Sequence, residues 1–201
     1  MVQKLNGRSR DRALARKREI LRSAAAAFRR RGFDGASVED IAAGLGMTKG
    51  NLYYYFKDKR EILYFCQDHS ADRMIEEAER IGRLRVPADE KLRRLIGAQL
   101  RCMLDELDGA AAHLEVSALP PARLDRILAK RDRYERAMRG IVEAGVRSRV
   151  FTPCDAKLAA LAILGAVNWT AKWYRPDGPL TVEQISAEFG RILVQGLLRR
   201  T

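Results

Sequence analysis

Only three cysteines, Cys66, Cys102 and Cys154, occur in 201 residues, and they lie far apart. An odd, widely spaced set argues against a disulfide framework or a zinc site. Small apolar filling is the ordinary use of such residues, and a redox-sensing thiol would need an exposed sulfur of low pKa. No apolar run approaches the roughly eighteen residues that would span a membrane. The N-terminus is basic and polar and lacks the apolar stretch of a secretory signal, so the cytoplasm is the expected location. Six prolines and fifteen glycines leave little room for long disordered tracts. There is no internal repeat and no low-complexity segment. The two histidines, His69 and His113, stand alone, as polar or capping residues would. A Walker glycine loop, a dinucleotide fingerprint, a nucleophile elbow and a zinc-helix motif are all missing. The expectation is therefore not an enzyme, with no catalytic residue, no metal and no cofactor.

Charge, by contrast, is plentiful and uneven. The chain carries a net +12. Residues 1–60 hold fifteen Lys/Arg and six Asp/Glu, whereas the remaining 141 residues hold twenty-three and twenty. Concentrated positive charge at one end is the electrostatic footprint of a phosphate-binding module. A membrane surface would also attract it, but the basic part lacks the bulky apolar face of an interfacial helix. Hydrophobic content of 47% is ordinary for a soluble globular protein.

Apolar positions recur at helical spacing almost throughout, and no period-2 strand is convincing. The pattern predicts an all-α chain of about nine helices. A flexible basic arm over 1–12 carries Arg8, Arg10 and Arg12, and with Arg16, Lys17 and Arg18 it offers a reach into a minor groove. A first helix follows over 13–31 and ends at Gly32. Further helices are predicted over 37–44, 48–55, 58–82, 88–107, 110–118, 121–148, 155–174 and 181–198. Ser37 with Asp40, Thr48, Asp58 with Glu61, and Thr181 with Gln184 supply start signals. Gly46 suits a positive φ between helices. Residues 37–63, SVEDIAAGLGMTKGNLYYYFKDKREIL, thus form a helix-turn-helix with Leu52 and Phe56 turned to the core.

This stretch resembles the TetR family of bacterial one-component regulators. Phe28, Gly32, Ser37, Ile41, Ala42, Leu45, Gly46, Thr48, Gly50, Leu52, Tyr53, Phe56, Lys59 and Leu63 carry the resemblance. It implies a three-helix DNA-binding domain over 1–57 and a helical effector-binding and dimerisation domain over 58–201. It places Ser37, Val38 through its N–H, Thr48, Tyr53, Tyr55 and Lys59 on phosphates. It places Lys49, Gly50, Asn51 and Tyr54 at bases, with Glu39 at a position that sometimes touches them. Each side chain has a plainer use: Lys49 and Lys59 as solvated charges, Tyr55 as packing, Asn51 as support for the helix start.

The same resemblance implies a cytoplasmic homodimer on a palindromic DNA operator, joined through the last two helices. Leu158, Leu161, Leu164, Gly165, Ile185, Phe189, Ile192 and Leu193 are the interface candidates, small residues favouring close helix approach. A pocket between the long helices would be lined by Phe65, Cys66, Met103, Leu107, Leu128, Tyr134, Trp169 and Trp173. Asn168–Trp169 and the segment from Trp173 to Leu180 are similar to a subgroup that controls fatty-acid, steroid or aromatic-acid breakdown and often senses an acyl-CoA. The expected function is a transcriptional repressor released by a small hydrophobic effector such as an acyl-CoA, with Arg101, Arg131 or Lys172 near the mouth. A drug-efflux repressor, or a helical adaptor without operator specificity, is the alternative.

Overall fold

The computed structural model describes residues 2–104 and 116–199, with the backbone alone for 2–14, 18 and 29. Eight α-helices are present among the described residues: α1 (Val2–Gly35), α2 (Val38–Ala43), α3 (Lys49–Tyr55), α4 (Lys59–Gly82), α5 (Ala88–Leu104), α6 (Pro121–Arg147), α7 (Ala156–Trp173) and α8 (Val182–Gln195). No strand is present among them. A single antiparallel bridge joins Phe151 to Leu198. Of the helix predicted over 110–118, a 3-10 turn at Val116–Ala118 is seen, and 105–115 lie outside the described residues.

The predicted starts are made by the predicted atoms. Ser37 Oγ accepts from the Asp40 N–H at 3.0 Å, and the Asp40 carboxylate accepts from the Ser37 N–H at 2.9 Å, closing a capping box. Thr48 accepts from the Asn51 N–H at 3.2 Å, and Asp58 from the Glu61 N–H at 2.7 Å. Thr181 and Gln184 form a second full box. Gly46 takes φ 60°, as the turn between α2 and α3 requires. Gly32 breaks α1 with φ 69° and ψ 174°. One boundary differs: α1 is already helical from Val2, where a flexible arm over 1–12 was expected. Residues 2–12 hold no proline, and helix formers such as Gln3, Lys4, Leu5 and the arginines carry the helix past Gly7.

Two cores form. One gathers Ile20, Leu21 and Phe28 of α1 with Ile41, Leu52 and Phe56, and also takes Ile62, Leu63 and Cys66 of α4 and Leu119 and Ile127 from beyond it. The other gathers Ile75 and Ile81 of α4 with Leu92, Leu95 and Leu100 of α5, Met138 and Val142 of α6, Val167 of α7 and Val194 of α8. The packing boundary therefore does not fall at 57: α4 gives its first half to one core and its second half to the other. Ion pairs fix α4 against α6 along most of its length. Arg123 lies 3.5 Å from Glu61, Lys130 lies 2.5 Å from Asp68 and 2.7 Å from Asp72, and Arg133 pairs with Glu79. Exposed pairs of this kind are worth roughly 0–1 kcal/mol each, so register is their larger contribution.

Candidate nucleic-acid interface and effector cleft

The short helix α3 divides its residues sharply. Leu52 is buried, while Lys49, Gly50, Asn51, Tyr53 and Tyr54 are exposed. Tyr54 is 86% exposed, an unusual state for an aromatic, and among the described residues its ring meets the edge of Tyr55, with centres 5.1 Å apart. Gly50 has a telling environment. A Cβ added there would meet nothing nearer than Thr48 Oγ1 at 3.9 Å. Glycine costs about 1 kcal/mol against alanine inside a helix, and nothing among the described residues demands it here. The bare backbone leaves room for something that approaches from outside.

Two candidate readers, on different helices, meet in space. Lys49 Nζ of α3 lies 2.5 Å from Glu39 Oε1 of α2 and 5.8 Å from the Tyr53 ring centre. The hydrogen bond from Lys49 holds the Glu39 carboxyl below its ordinary value and raises the Lys49 ammonium above its own. Asp40 is likewise held low, by the Ser37 N–H first, then the Ser37 hydroxyl, with Arg31 beside it. Arg31 Nη1 donates to both Asp40 oxygens at 2.9 Å. The hydroxyls of Ser37 and Thr48 serve as caps, and Val38 is half-buried at the first turn of α2, where N–H groups have no acceptor within the helix.

Lys59 and Tyr55 are placed differently from the expectation. The Lys59 ammonium donates to Phe33 O at 2.6 Å, Ala36 O at 2.9 Å and Asp34 O at 3.4 Å, and sits 4.3 Å over the Phe33 ring centre. All three of its N–H directions meet carbonyls at the end of α1. It pins the start of α4 to α1 rather than standing free for phosphate. Tyr55 is half-buried and packs on the core of this region.

In the body, two openings share a wall. A cleft of about 430 Å³ is lined by Arg73, Met74, Glu77, Arg80, Gln99, Arg101 and Tyr134 among others. That volume falls in the range of small-molecule sites. A smaller cavity of about 120 Å³ is lined by Gln67, Met74, Gln99, Arg131, Tyr134, Leu164 and Asn168 among others. Met74, Gln99 and Tyr134 belong to both. The wall is polar at its centre: the Tyr134 hydroxyl donates to Gln99 Oε1 at 3.0 Å, and Gln99 Nε2 donates to Asn168 Oδ1 at 2.9 Å. Burial pushes the Tyr134 phenol well above its ordinary value, which keeps it a donor. Burial also lowers Arg131, whose Nη2 donates to Gln67 Oε1 at 3.1 Å.

Of the pocket residues proposed from sequence, only Tyr134 lines these openings. Phe65 and Cys66 pack in the head core, Phe65 against Phe56, because α4 begins inside that core. Met103 is fully packed in the body core. Leu128 is exposed, and Leu107 lies outside the described residues. Trp169 and Trp173 are on the outer surface of α7, Trp173 6.3 Å from Phe189 of α8. Arg101 and Arg131 do line the openings, whereas Lys172 lines neither. Gln67, Met74 and Gln99 went unrecognised, since single polar or flexible residues on amphipathic helices give no signal of facing a cavity. Leu158, Leu161 and Ile192 are exposed, as are Trp169 and Trp173, and Gly165 is open to solvent. Phe189, Leu164 and Leu193 are half-buried, Leu164 on the small cavity. Ile185 is buried in its own core and is not available as an interface residue.

No described helix is long and apolar enough to cross a membrane, and no described cluster of His, Cys, Asp or Glu has the makings of a metal site. Residues 20–64 match the family model for bacterial regulatory proteins of the tetR family, and residues 85–197 match that of the tetracyclin repressor-like C-terminal domain. The repressor KstR2 of Mycobacterium tuberculosis is 27% identical over 92% of this chain and 94% of its own. The crystal structure of PfmR from Thermus thermophilus superposes with a TM-score of 0.80 at 32% identity, covering 90% of this chain and 99% of that one. AibR in complex with isovaleryl coenzyme A and operator DNA superposes with a TM-score of 0.78 at 27% identity, over 89% and 98%.

Proposed function

The chain belongs to the TetR family of DNA-binding transcriptional regulators, and on that premise we propose that it is a homodimeric repressor controlled by an acyl-CoA thioester. The observation that carries the reading is the double allegiance of α4. Its first turns are part of the core that holds α2 and α3, and its second half walls the body cleft through Arg73, Met74, Glu77 and Arg80. A ligand that moves Met74 therefore moves a helix on which the DNA face is built. Such a ligand shifts the equilibrium only by its differential affinity for the two states.

An acyl-CoA suits the shape and charge of the openings. The smaller, largely apolar cavity fits a short acyl chain, and the polar wall of Tyr134 and Gln99 offers hydrogen bonds to a thioester carbonyl. Arg73 and Arg101 at the larger cleft, where Arg80 is bonded to Glu77, match nucleotide phosphates. AibR, which holds isovaleryl coenzyme A, is folded alike, and KstR2 is a ketosteroid regulator. The exposed apolar strip of Leu158, Leu161, Trp169, Trp173 and Ile192 is the face for a second copy.

The test is an operator titration with and without a series of acyl-CoA thioesters, alongside sedimentation of the free protein. Release of a palindromic duplex from a dimer by one chain-length class is the expected result. AibR holds operator and thioester together, so tighter operator binding would keep the effector and reverse the sign of the switch. A monomer that no thioester affects would sink the proposal.

A further inference from the structure

The Glu39–Lys49 pair raises a question that DNA binding alone does not answer. A carboxylate is unwelcome on a surface that meets phosphates. Here Glu39 is exposed, on the same side of the head as Lys49 and Tyr53, and its Oε1 is 2.5 Å from Lys49 Nζ. The pair joins two different helices, α2 and α3. Within each helix the neighbours that face inward, Ile41, Ala42 and Leu52, are fully packed, so neither charge is needed by the core. Lys49 is also the first residue of α3, where the helix dipole disfavours a cation, and Glu39 offsets that.

We infer that Glu39 is a specificity-determining residue: its carboxylate keeps Lys49 away from phosphates on random DNA and yields it only at a G·C step. The chemistry is complementary. Lysine donates to guanine O6 and N7, and a carboxylate accepts from cytosine N4. When both are met, opening the pair loses little, because an exposed ion pair is weak. On any other step, opening the pair would leave the carboxylate facing phosphates without a donor, and that like-charge juxtaposition is unfavourable. On random DNA the pair stays closed, and Lys49 adds nothing to phosphate binding. The inference rests on the operator-binding reading.

The test selects binding sites from a random duplex library with wild-type protein and with Glu39→Gln and Glu39→Ala. Affinity for one random duplex is then measured against salt. In the variants, one position per half-site should lose its G·C preference, discrimination there falling about 5-fold or more. Affinity for the random duplex should rise, and its salt slope should steepen by about 0.9 per protomer as Lys49 turns to a phosphate. In a Lys49→Ala background the same Glu39 change should leave that slope unmoved. The glutamine variant keeps the side-chain volume, and its melting curve shows that the head is folded. Equal loss on selected and random DNA, with the motif unchanged, would make the pair purely structural and overturn the inference alone. A wild-type selection with no enriched motif would overturn the inference and the operator reading together.

Discussion

Gly50 of the head and Gly145 of the body are both helical glycines, and they are there for opposite reasons. A Cβ on Gly145 would fall 2.1 Å from Phe151 Cδ2, inside the ring's own volume, so the body needs that glycine for its packing. A Cβ on Gly50 would meet only Thr48 Oγ1, at 3.9 Å. Exposed aromatics follow the same division. Tyr53 lies by the charge of Lys49 and Tyr54 stands out on the head, whereas on the body Trp169 and Trp173 are exposed along with Leu158, Leu161 and Ile192. The head presents polar and aromatic side chains beside charges, and the body presents exposed apolar ones.

The largest expected effects test whether the two regions are separate folding units. Phe28 is fully buried at the head core and Met138 at the body core. Truncating either to alanine should remove about 3–5 kcal/mol for the phenylalanine and about 2–5 kcal/mol for the methionine. Because α4 serves both cores, calorimetry should show one transition that both variants lower. Two resolved transitions, each sensitive to only one variant, would break the link on which the switch depends.

The two glycines give the next, smaller contrast. Gly145→Ala should cost about 1–3 kcal/mol through overpacking against Phe151. Gly50→Ala should stabilise the free protein by up to about 1 kcal/mol, because alanine is the better helix former. If DNA approaches this bare backbone, the same Gly50 change should weaken operator binding, since the added methyl group points into that open space. Urea melts and operator titrations together decide it. A stabilised variant with undiminished affinity would remove Gly50 from the interface.

Lys59 follows. Replacing it by alanine removes a cation bonded to the Phe33 and Ala36 carbonyls and should cost about 1–2 kcal/mol. If its work is structural, the melt shifts while the salt slope of DNA binding is kept. A slope that drops by about one, with an unchanged melt, would return Lys59 to the phosphates.

The head was legible in the sequence and the cleft was not, and contact distance explains why. The caps at Ser37, Thr48 and Asp58 act over three residues, and the Gly46 turn over even fewer, so a short window of sequence holds the whole argument. The wall of the cleft joins Tyr134 to Gln99 across 35 positions and Gln99 to Asn168 across 69. No local pattern marks such partners. Trp169 and Trp173 line neither opening for a related reason: a large apolar residue suggests a pocket, but no local pattern tells that both stand exposed on α7. Lys59 shows the limit of a motif as well. Its position was recognised, yet its carbonyl partners lie 23 and 26 residues back.

The smallest effect expected is a difference in acid sensitivity, and it belongs to the head. The Ser37 N–H and hydroxyl, with Arg31 behind them, hold the Asp40 carboxyl below its ordinary value of 3.8. A depressed carboxyl binds fewer protons folded than unfolded. Its contribution is therefore complete above the ordinary value and disappears as pH falls through the lowered one. Asp40→Asn should leave an amide that still accepts at the cap but no longer titrates. Urea melts at pH 3 and pH 6 should then show a smaller loss of stability on acidification than the wild type shows. The difference is expected to be small because Asp40 is partly open to solvent and its pairing with Arg31 is screened. In the body, the hydrogen bond from Arg80 lowers Glu77 in the same direction. Asp40→Asn should leave that part of the acid loss in place, so a residual slope is expected. If the variant keeps the full wild-type slope, the cap at Ser37 does not stabilise the charged form of Asp40, and the anchoring of α2 comes from uncharged contacts such as the packing of Ile41 and Ala42 and the Ser23 hydroxyl on the Ile41 carbonyl.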